Sequence, residues 1–166
     1  LGVQVDFPME QTCCGQPGFN AGYRDDAKTV AKQFLRAFKD AEVIVAPSGS
    51  CVSMVRHEYP VLFTPEDGEL YEQAIRLASI TWEFTEFLVD GVGIDRLDLK
   101  LPQKEKLAIH DACHGLRTLG LSDAARRLLH NMGNAELVEL NENNVCCGFG
   151  GLFSVKIPNV SNAMLT

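Results

Sequence analysis

The sequence predicts an α/β protein with mainly parallel sheets, flanking helices and two pseudo-repeated halves. Short apolar runs typical of buried strands alternate with segments of helical periodicity, and such alternation favours parallel sheets. The tripeptide Cys-Cys-Gly also occurs twice, beginning at Cys13 and at Cys146. We therefore expect one duplicated unit over residues 1–166, with halves at about residues 1–100 and 101–166.

Two single cysteines, Cys51 and Cys113, bear on the limits of the duplication. When the spacing between the two Cys-Cys-Gly copies is applied to Cys51, its counterpart falls beyond Thr166. By the same operation the counterpart of Cys113 falls before Leu1. The sequence therefore predicts a repeat unit that is truncated at both ends.

The first half is predicted to contain two strands and three helices. The clearest helix carries Val30, Phe34 and Phe38 on one face, at the four-residue spacing of an amphipathic helix. An unbroken apolar run near residue 45 is typical of a strand buried on both faces. In order, the predicted elements are a strand at residues 2–7, a helix at 25–39, a strand at 43–46, a short helix at 51–58 that stops before Pro60, and one long helix at 68–90.

The second half repeats this alternation. Apolar residues lead into the segment that contains Cys113, so this thiol also follows a predicted strand. Leu128 and Leu129 belong to the apolar face of the next helix, for which Ser122 is the expected N-cap. In order, the predicted elements are a strand at residues 107–109, a helix at 122–132, a strand at 136–140 and the start of a helix at 158–166.

Composition excludes several classes of function. The net charge of −7 and the absence of clustered Lys and Arg argue against nucleic-acid binding. No apolar run reaches the ~18 residues of a membrane helix, so we expect no membrane insertion and a cytoplasmic protein. In a reducing compartment, six cysteines are more typical of metal ligands or redox groups than of structural disulfides.

The cysteines are the candidate functional residues because each lies just beyond a predicted strand, where ligands gather in parallel sheets. Thiolates bind soft metals, and glycine lets backbone N–H groups approach the sulfur. Burial as small apolar side chains is the alternative, and it explains a single cysteine better than two matched pairs. The candidate metal- and cofactor-binding residues are Cys13, Cys14, Cys51, Cys113, Cys146 and Cys147.

Four segments carry a resemblance to a known family, namely residues 7–17, 47–51, 110–115 and 146–154. They closely resemble the motifs of the cysteine-rich (Cys-Cys-Gly) domain family, closest to its lactate-utilisation and glycolate-oxidase iron–sulfur subunits and related to the cysteine-rich subunit of heterodisulfide reductase. The resemblance implies a non-flavin electron-transfer subunit of a bacterial oxidoreductase complex that oxidises L-lactate or another 2-hydroxy acid. It also implies an iron–sulfur cluster, of the 4Fe–4S type in some members, and partner subunits within that complex.

The resemblance further implies how the ligands are divided. It assigns Cys13, Cys14 and Cys51 to one set and Cys113, Cys146 and Cys147 to the other. His114 is a further candidate ligand, whereas His110 is expected to bond to the backbone. Ser48 stands where the family carries a cysteine, and the sequence identifies no catalytic residue.

Two other interpretations use the same cysteines. A zinc-binding structural or assembly module without a redox role needs only four thiolate or imidazole ligands, and some members of the family hold zinc. Thiol–disulfide exchange within a Cys-Cys pair is the weaker alternative, because adjacent cysteines form a strained bridge. Metal identity separates the first alternative from an iron–sulfur centre.

Overall fold

The computed structural model describes residues 1–149 and 151–165, which divide into two compact units. The first unit comprises Leu1–Ala46 and Ser50–Trp82, and the second comprises Pro47–Gly49 and the chain from Glu83 onward. Helices and short paired strands make up both units, which confirms the predicted α/β class. Gly150 and Thr166, which belong to two of the predicted segments, lie outside the described residues. None of the described helices is long and apolar enough to cross a bilayer.

The first unit contains several helices and a two-stranded sheet in which β1 pairs with β2. A π turn at Met54–Glu58 joins two of the helices into one continuous segment. A 3₁₀ turn at Pro65–Asp67 precedes the last helix. The elements are α1 (Gln16–Asn20), α2 (Arg24–Ala37), β1 (Ile44–Ala46), α3 (Gly49–Ser53), α4 (Tyr59–Leu62), α5 (Glu69–Ile80) and β2 (Thr81–Glu83).

The core of the first unit is aromatic and aliphatic. Leu35 and Leu77 are fully buried, and burial of such a side chain contributes about 1.5–3 kcal/mol. Tyr59 packs edge-on against both Phe34 and Phe63, with ring centroids 5.6 Å and 6.2 Å away. The apolar face of α2 supplies much of this core, as the spacing of its residues predicts.

The second unit contains a parallel strand pair and a smaller core. β3 and β4 run parallel, with Leu107 opposite Leu137. Leu88 and Leu128 belong to the buried cluster that packs α7 against the segment after α6. The elements are α6 (Phe84–Glu86) with a π turn at Phe87–Gly91, β3 (Lys100–Leu107), a π turn at His114–Thr118, α7 (Ala124–His130), β4 (Gly133–Leu137), α8 (Gly151–Lys156) and α9 (Pro158–Ala163).

The prediction of one helix over residues 68–90 is wrong. The helix ends at Ile80, and the Thr81 hydroxyl donates to the Leu77 carbonyl at 2.7 Å. Glu83 then starts the next helix, because its carboxylate accepts the backbone N–H groups of Thr85 and Glu86 at 2.7 Å and 3.2 Å. The helix is therefore interrupted because a side chain caps a new helix, although the apolar spacing predicts one continuous helix.

The helix predicted at residues 51–58 is longer, and Pro60 does not end it. The helical segment begins at Gly49 and continues through the π turn to Leu62. Pro60 is the second residue of α4, and proline is tolerated in the first turn of a helix because its missing N–H has no partner there.

The predicted strand at residues 2–7 is also wrong, since the structure describes this segment without helix or strand. Val5 and Phe7 are 84% and 68% exposed, and a strand is stable only when a neighbour satisfies its backbone groups. In the second unit the strands lie earlier than predicted, at Lys100–Leu107 and Gly133–Leu137. The expectation that Ser122 caps α7 is wrong, because Asp123 is the residue that precedes the helix. The Ser122 carbonyl accepts a hydrogen bond from the Arg126 side chain.

Candidate functional site

In the first unit the structure brings the thiols of Cys14 and Cys51 into contact. Cys14 is buried within the main core and Cys51 packs against the same core. The hydrogen bond with the Cys51 thiol, followed by burial, raises the pKa of Cys14 above its ordinary value. Ionisation of the Cys14 thiol is therefore disfavoured unless a bound cation offsets its cost.

Backbone contacts fix this pair. Cys14 lies just before α1, and Cys51 is the third residue of α3. The Gln16 side chain donates to the Ser50 carbonyl at 3.0 Å, so the starts of the two helices are tied together. The buried Tyr59 hydroxyl donates to the Cys14 carbonyl, also at 3.0 Å. The sequence does not predict Tyr59 as a site residue, because nothing in its spacing marks the contact.

Cys13 differs from its neighbour because it is exposed. The backbone N–H of Gly15 donates to the Cys13 sulfur over a distance of 3.4 Å. An N–H group directed at sulfur stabilises its anionic form. The first Cys-Cys-Gly motif therefore presents one solvent-accessible sulfur with a backbone donor and one buried sulfur with a thiol partner.

The glycines of the two motifs share an unusual conformation. Gly15 and Gly148 have φ values of 85° and 77°, a region that favours glycine. A Cβ atom would lie 3.1 Å from the Ala27 carbonyl oxygen at Gly15 and 2.5 Å from the Ser161 carbonyl oxygen at Gly148. Glycine is therefore required in both copies by the turn and by a nearby backbone carbonyl.

None of the three cysteines of the second unit is as buried as Cys14. Cys113 precedes the π turn at His114–Thr118 and is half-buried. The half-buried Cys146 has its thiol 3.9 Å from the Met164 sulfur, whereas Cys147 is exposed. The two parts of this predicted set therefore lie on two loops, one after β3 and one after β4.

Backbone carbonyls of the second loop are bonded to the first. The Val145 carbonyl is 3.0 Å from His110 Nε2, which confirms the expectation that His110 bonds to the backbone. The Asn144 carbonyl accepts a hydrogen bond from Arg117 Nη2 at 3.2 Å. The ring centroid of His114 is 6.4 Å from that of Phe149, which follows the second Cys-Cys-Gly.

Arg126 of α7 binds two carboxylates near these loops. Its Nη1 and Nη2 atoms each donate to one Asp111 oxygen at 2.9 Å. Its Nε and Nη2 atoms donate to the Glu139 oxygens at 2.8 Å and 3.1 Å. Hydrogen bonds to Asp111 and Glu139 raise the pKa of Arg126, and Arg126 lowers the pKa of Glu139. The sequence does not predict this network, since its members come from three separate segments.

The donor chemistry of the cysteines suits a thiophilic metal or a cluster, because thiols in contact and N–H groups near sulfur are features of such sites. Among the described residues, the arrangement of these side chains does not form a complete metal site. Within residues 1–149 and 151–165, no group of three or more His, Cys, Asp or Glu side chains is arranged to hold a metal ion. The structure thus provides a thiol pair in the first unit and separate thiols in the second.

Comparison with known sequences identifies clear relatives. The sequence model of a family described as cysteine-rich domain (CCG) matches residues 1–56 and 107–166. The chain is 46% identical over 164 residues to "Lactate utilization protein A 2" of Bacillus cereus and to "Lactate utilization protein A 1" of Bacillus anthracis. It is 44% identical over 165 residues to "Lactate utilization protein A 1" of Bacillus mycoides. Each alignment covers 99% of this chain and 66% of the relative, so the chain spans just under two thirds of their length. No solved structure matches the chain.

Proposed function

The chain belongs to the cysteine-rich (CCG) domain family, and on that basis we propose that it is an iron–sulfur electron-transfer unit of a bacterial system for the use of L-lactate. The family match includes both Cys-Cys-Gly motifs. The names of the Bacillus relatives support the lactate system. The redox role is inferred from the chemistry of the cysteines.

The Cys14–Cys51 contact is the observation that carries the proposal. The two thiols come from segments far apart in the sequence, and they meet where the buried Cys14 contacts the partly buried Cys51. Hydrogen bonds from Gln16 and Tyr59 hold the backbone around them. Inert packing requires no such pairing of two thiols, whereas ligation of one metal or cluster by both requires it.

Each unit would hold one ligand set. When bound, an iron–sulfur cluster would supply the capacity to accept and release single electrons. The chain itself contributes the thiolates, the Gly15 N–H group that donates to Cys13, and the apolar surroundings of Cys14. The proposed ligands are Cys13, Cys14 and Cys51 in the first unit and Cys113, Cys146 and Cys147 in the second, with His114 as a further candidate.

We propose that partner subunits supply the remaining steps of the reaction. The chain would receive electrons that a partner removes from a 2-hydroxy acid and would pass them to a further acceptor in the bacterial cytoplasm. In this scheme the chain does not itself accept the hydride of the substrate. Its role in an oxidoreductase complex is therefore the transfer of electrons between partners.

Anaerobic purification followed by spectroscopy tests this proposal. We expect a brown protein whose broad absorbance at about 400 nm falls on reduction with dithionite and returns on oxidation. Electron paramagnetic resonance should detect one of the two redox states. A colourless protein with bound zinc would contradict the proposal and favour the structural zinc module instead.

A further inference from the structure

Arg126 occupies a central place in the second unit although it is not adjacent to any cysteine in the sequence. One carboxylate partner, Asp111, lies two residues before Cys113. The other partner, Glu139, lies at the start of the loop that leads from β4 to Cys146. Arg126 thus binds the two cysteine-bearing loops through a single guanidinium group.

Two further hydrogen bonds extend this connection. The Asn143 side chain donates to a Glu139 oxygen at 3.0 Å, and Asn143 is three residues before Cys146. The Asn143 carbonyl accepts the Asp111 backbone N–H at 2.8 Å. The Arg126 guanidinium, the two carboxylates and the Asn143 backbone therefore form one connected hydrogen-bond network. This network joins the two loops at residues that precede their cysteines in the sequence.

Within this set the Arg126–Asp111 pair is well shielded, whereas 50% of the Glu139 side chain is exposed. Only 20% of the Arg126 side chain and 10% of the Asp111 side chain are exposed, so solvent screens this pair less than a surface pair. Asp111 receives one N–H donor on each oxygen in a bidentate arrangement. Such an arrangement fixes orientation as well as distance, which lysine with its single ammonium group does not reproduce.

We propose that Arg126 is a positioning residue that holds the Cys113 loop and the Cys146–Cys147 loop in place to bind one metal or cluster. This inference rests on the proposed function, because it takes the three cysteines as ligands. Arg126 acts through Asp111 and Glu139 and does not itself contact the metal. Groups that orient metal ligands in this way commonly change metal affinity by about 10- to 100-fold when they are removed.

Anaerobic titration with Co²⁺ tests this role. The background is the whole chain with Cys13, Cys14 and Cys51 replaced by serine, so that the measured Co²⁺ binding comes from the second ligand set. Bonds between Co²⁺ and thiolates give charge-transfer absorbance in the near ultraviolet, whose intensity follows the number of thiolate ligands. The affinity and the intensity are compared between this background and the background carrying Arg126→Ala, Arg126→Lys, Glu139→Gln or Arg127→Ala.

We expect Arg126→Ala and Arg126→Lys to lower Co²⁺ affinity about 10- to 100-fold and to reduce the charge-transfer intensity. Guanidinium ion at low concentration should restore part of the affinity of Arg126→Ala. Arg127→Ala is the matched control, because Arg127 is the next residue and pairs with the exposed Asp95 at 3.4 Å. It should leave both quantities unchanged.

Glu139→Gln keeps the Asp111 pair and so tests the inference even if Arg126→Ala fails to fold. It should lower Co²⁺ affinity by less than the Arg126 variants do. Unchanged affinity and spectrum in Arg126→Lys and Glu139→Gln would overturn the positioning role while leaving the ligand assignment intact. Co²⁺ binding that is absent from the background, or unaffected by Cys113→Ser, would instead overturn the ligand assignment on which this inference rests.

Discussion

The thiol of Cys14, which is buried in the core of the first unit, is hydrogen-bonded to the thiol of Cys51, which packs against that core. One residue precedes α1 and the other lies within α3, and the Gln16–Ser50 hydrogen bond ties these helix starts together. The pair is therefore a property of the folded chain and not of either local motif. Because the two sulfurs are already adjacent, they should react together with metals and with oxidants.

Mild oxidation should join Cys14 to Cys51. With a low-molecular-weight disulfide as oxidant, a sulfur–sulfur bond forms between the two residues, and the small disulfide is reduced to two thiols. Peptide mapping by mass spectrometry without reductant should identify this crosslink in metal-depleted protein, and Cys113→Ser should not affect it. A Cys13–Cys14 crosslink as the main product would contradict the observed pairing.

Tyr59→Phe should destabilise the first unit. The substitution removes the hydroxyl that donates to the Cys14 carbonyl and leaves a buried acceptor without this partner. We expect a loss of about 1–3 kcal/mol in the free energy of unfolding, measured with urea at neutral pH. Tyr71→Phe serves as control, because Tyr71 is only partly buried against the same core. Equal stability of the two variants would be inconsistent with the role given to this hydrogen bond.

Gly148→Ala should cost more stability than Gly120→Ala. Both glycines have positive φ, at 77° and 72°, so alanine is strained at either position by about 1–2 kcal/mol. Only at Gly148 would the added Cβ also meet a backbone atom, the Ser161 carbonyl oxygen at 2.5 Å. Thermal unfolding of the two variants measures the difference. If both lose the same amount, the close approach of Ser161 does not restrict this position.

The fold could be predicted where neighbours in sequence decide it. The predicted helix at residues 25–39 matches α2, because its apolar face is continuous and its first turn carries Asp25 and Asp26. The break at Thr81 could not be predicted in the same way. It depends on a buried hydroxyl and on the Glu83 cap, which compete with a favourable helical pattern on both sides.

In the candidate site, too, local sequence predicts some features whereas tertiary contacts decide others. The repetition of Cys-Cys-Gly is enough to identify the cysteines as candidate ligands. It also predicts that the glycine after each pair has a structural role beside the sulfur atoms. The Cys14–Cys51 contact and the Arg126 network could not be predicted from spacing, because their partners come from distant segments that only tertiary packing brings together. Sequence thus predicts the type of donor atoms, whereas packing decides which of them meet.

Stability should depend on the ionisation of Asp67 in acid. The hydrogen bond from Lys28 at 2.6 Å, followed by the Thr64 backbone N–H at 2.9 Å, lowers the pKa of Asp67 below its ordinary value. A lowered carboxyl pKa stabilises the fold above the unfolded value of about 3.9, and this contribution is lost as pH falls through the folded value.

Asp67→Asn should therefore be less stable than the wild type at neutral pH. The difference in the free energy of unfolding between the two proteins should narrow below about pH 4. Urea unfolding at several pH values measures it. Asp40→Asn is the control, because the side chain of Asp40 is 87% exposed and 3.8 Å from Lys39. A gap that is independent of pH would show that ionisation of Asp67 does not contribute.

Metal and sulfide content tests most directly whether both cysteine sets bind a thiolate-ligated iron–sulfur centre. Iron, acid-labile sulfide and zinc are measured per chain in anaerobically purified and reconstituted protein. We predict iron and sulfide in the wild type, a partial loss when either set is replaced by serine, and complete loss when both are replaced. The replaced sets are Cys13, Cys14 and Cys51 in one variant and Cys113, Cys146 and Cys147 in the other. Wild-type protein without iron and sulfide, or full content in both triple variants, would contradict the account.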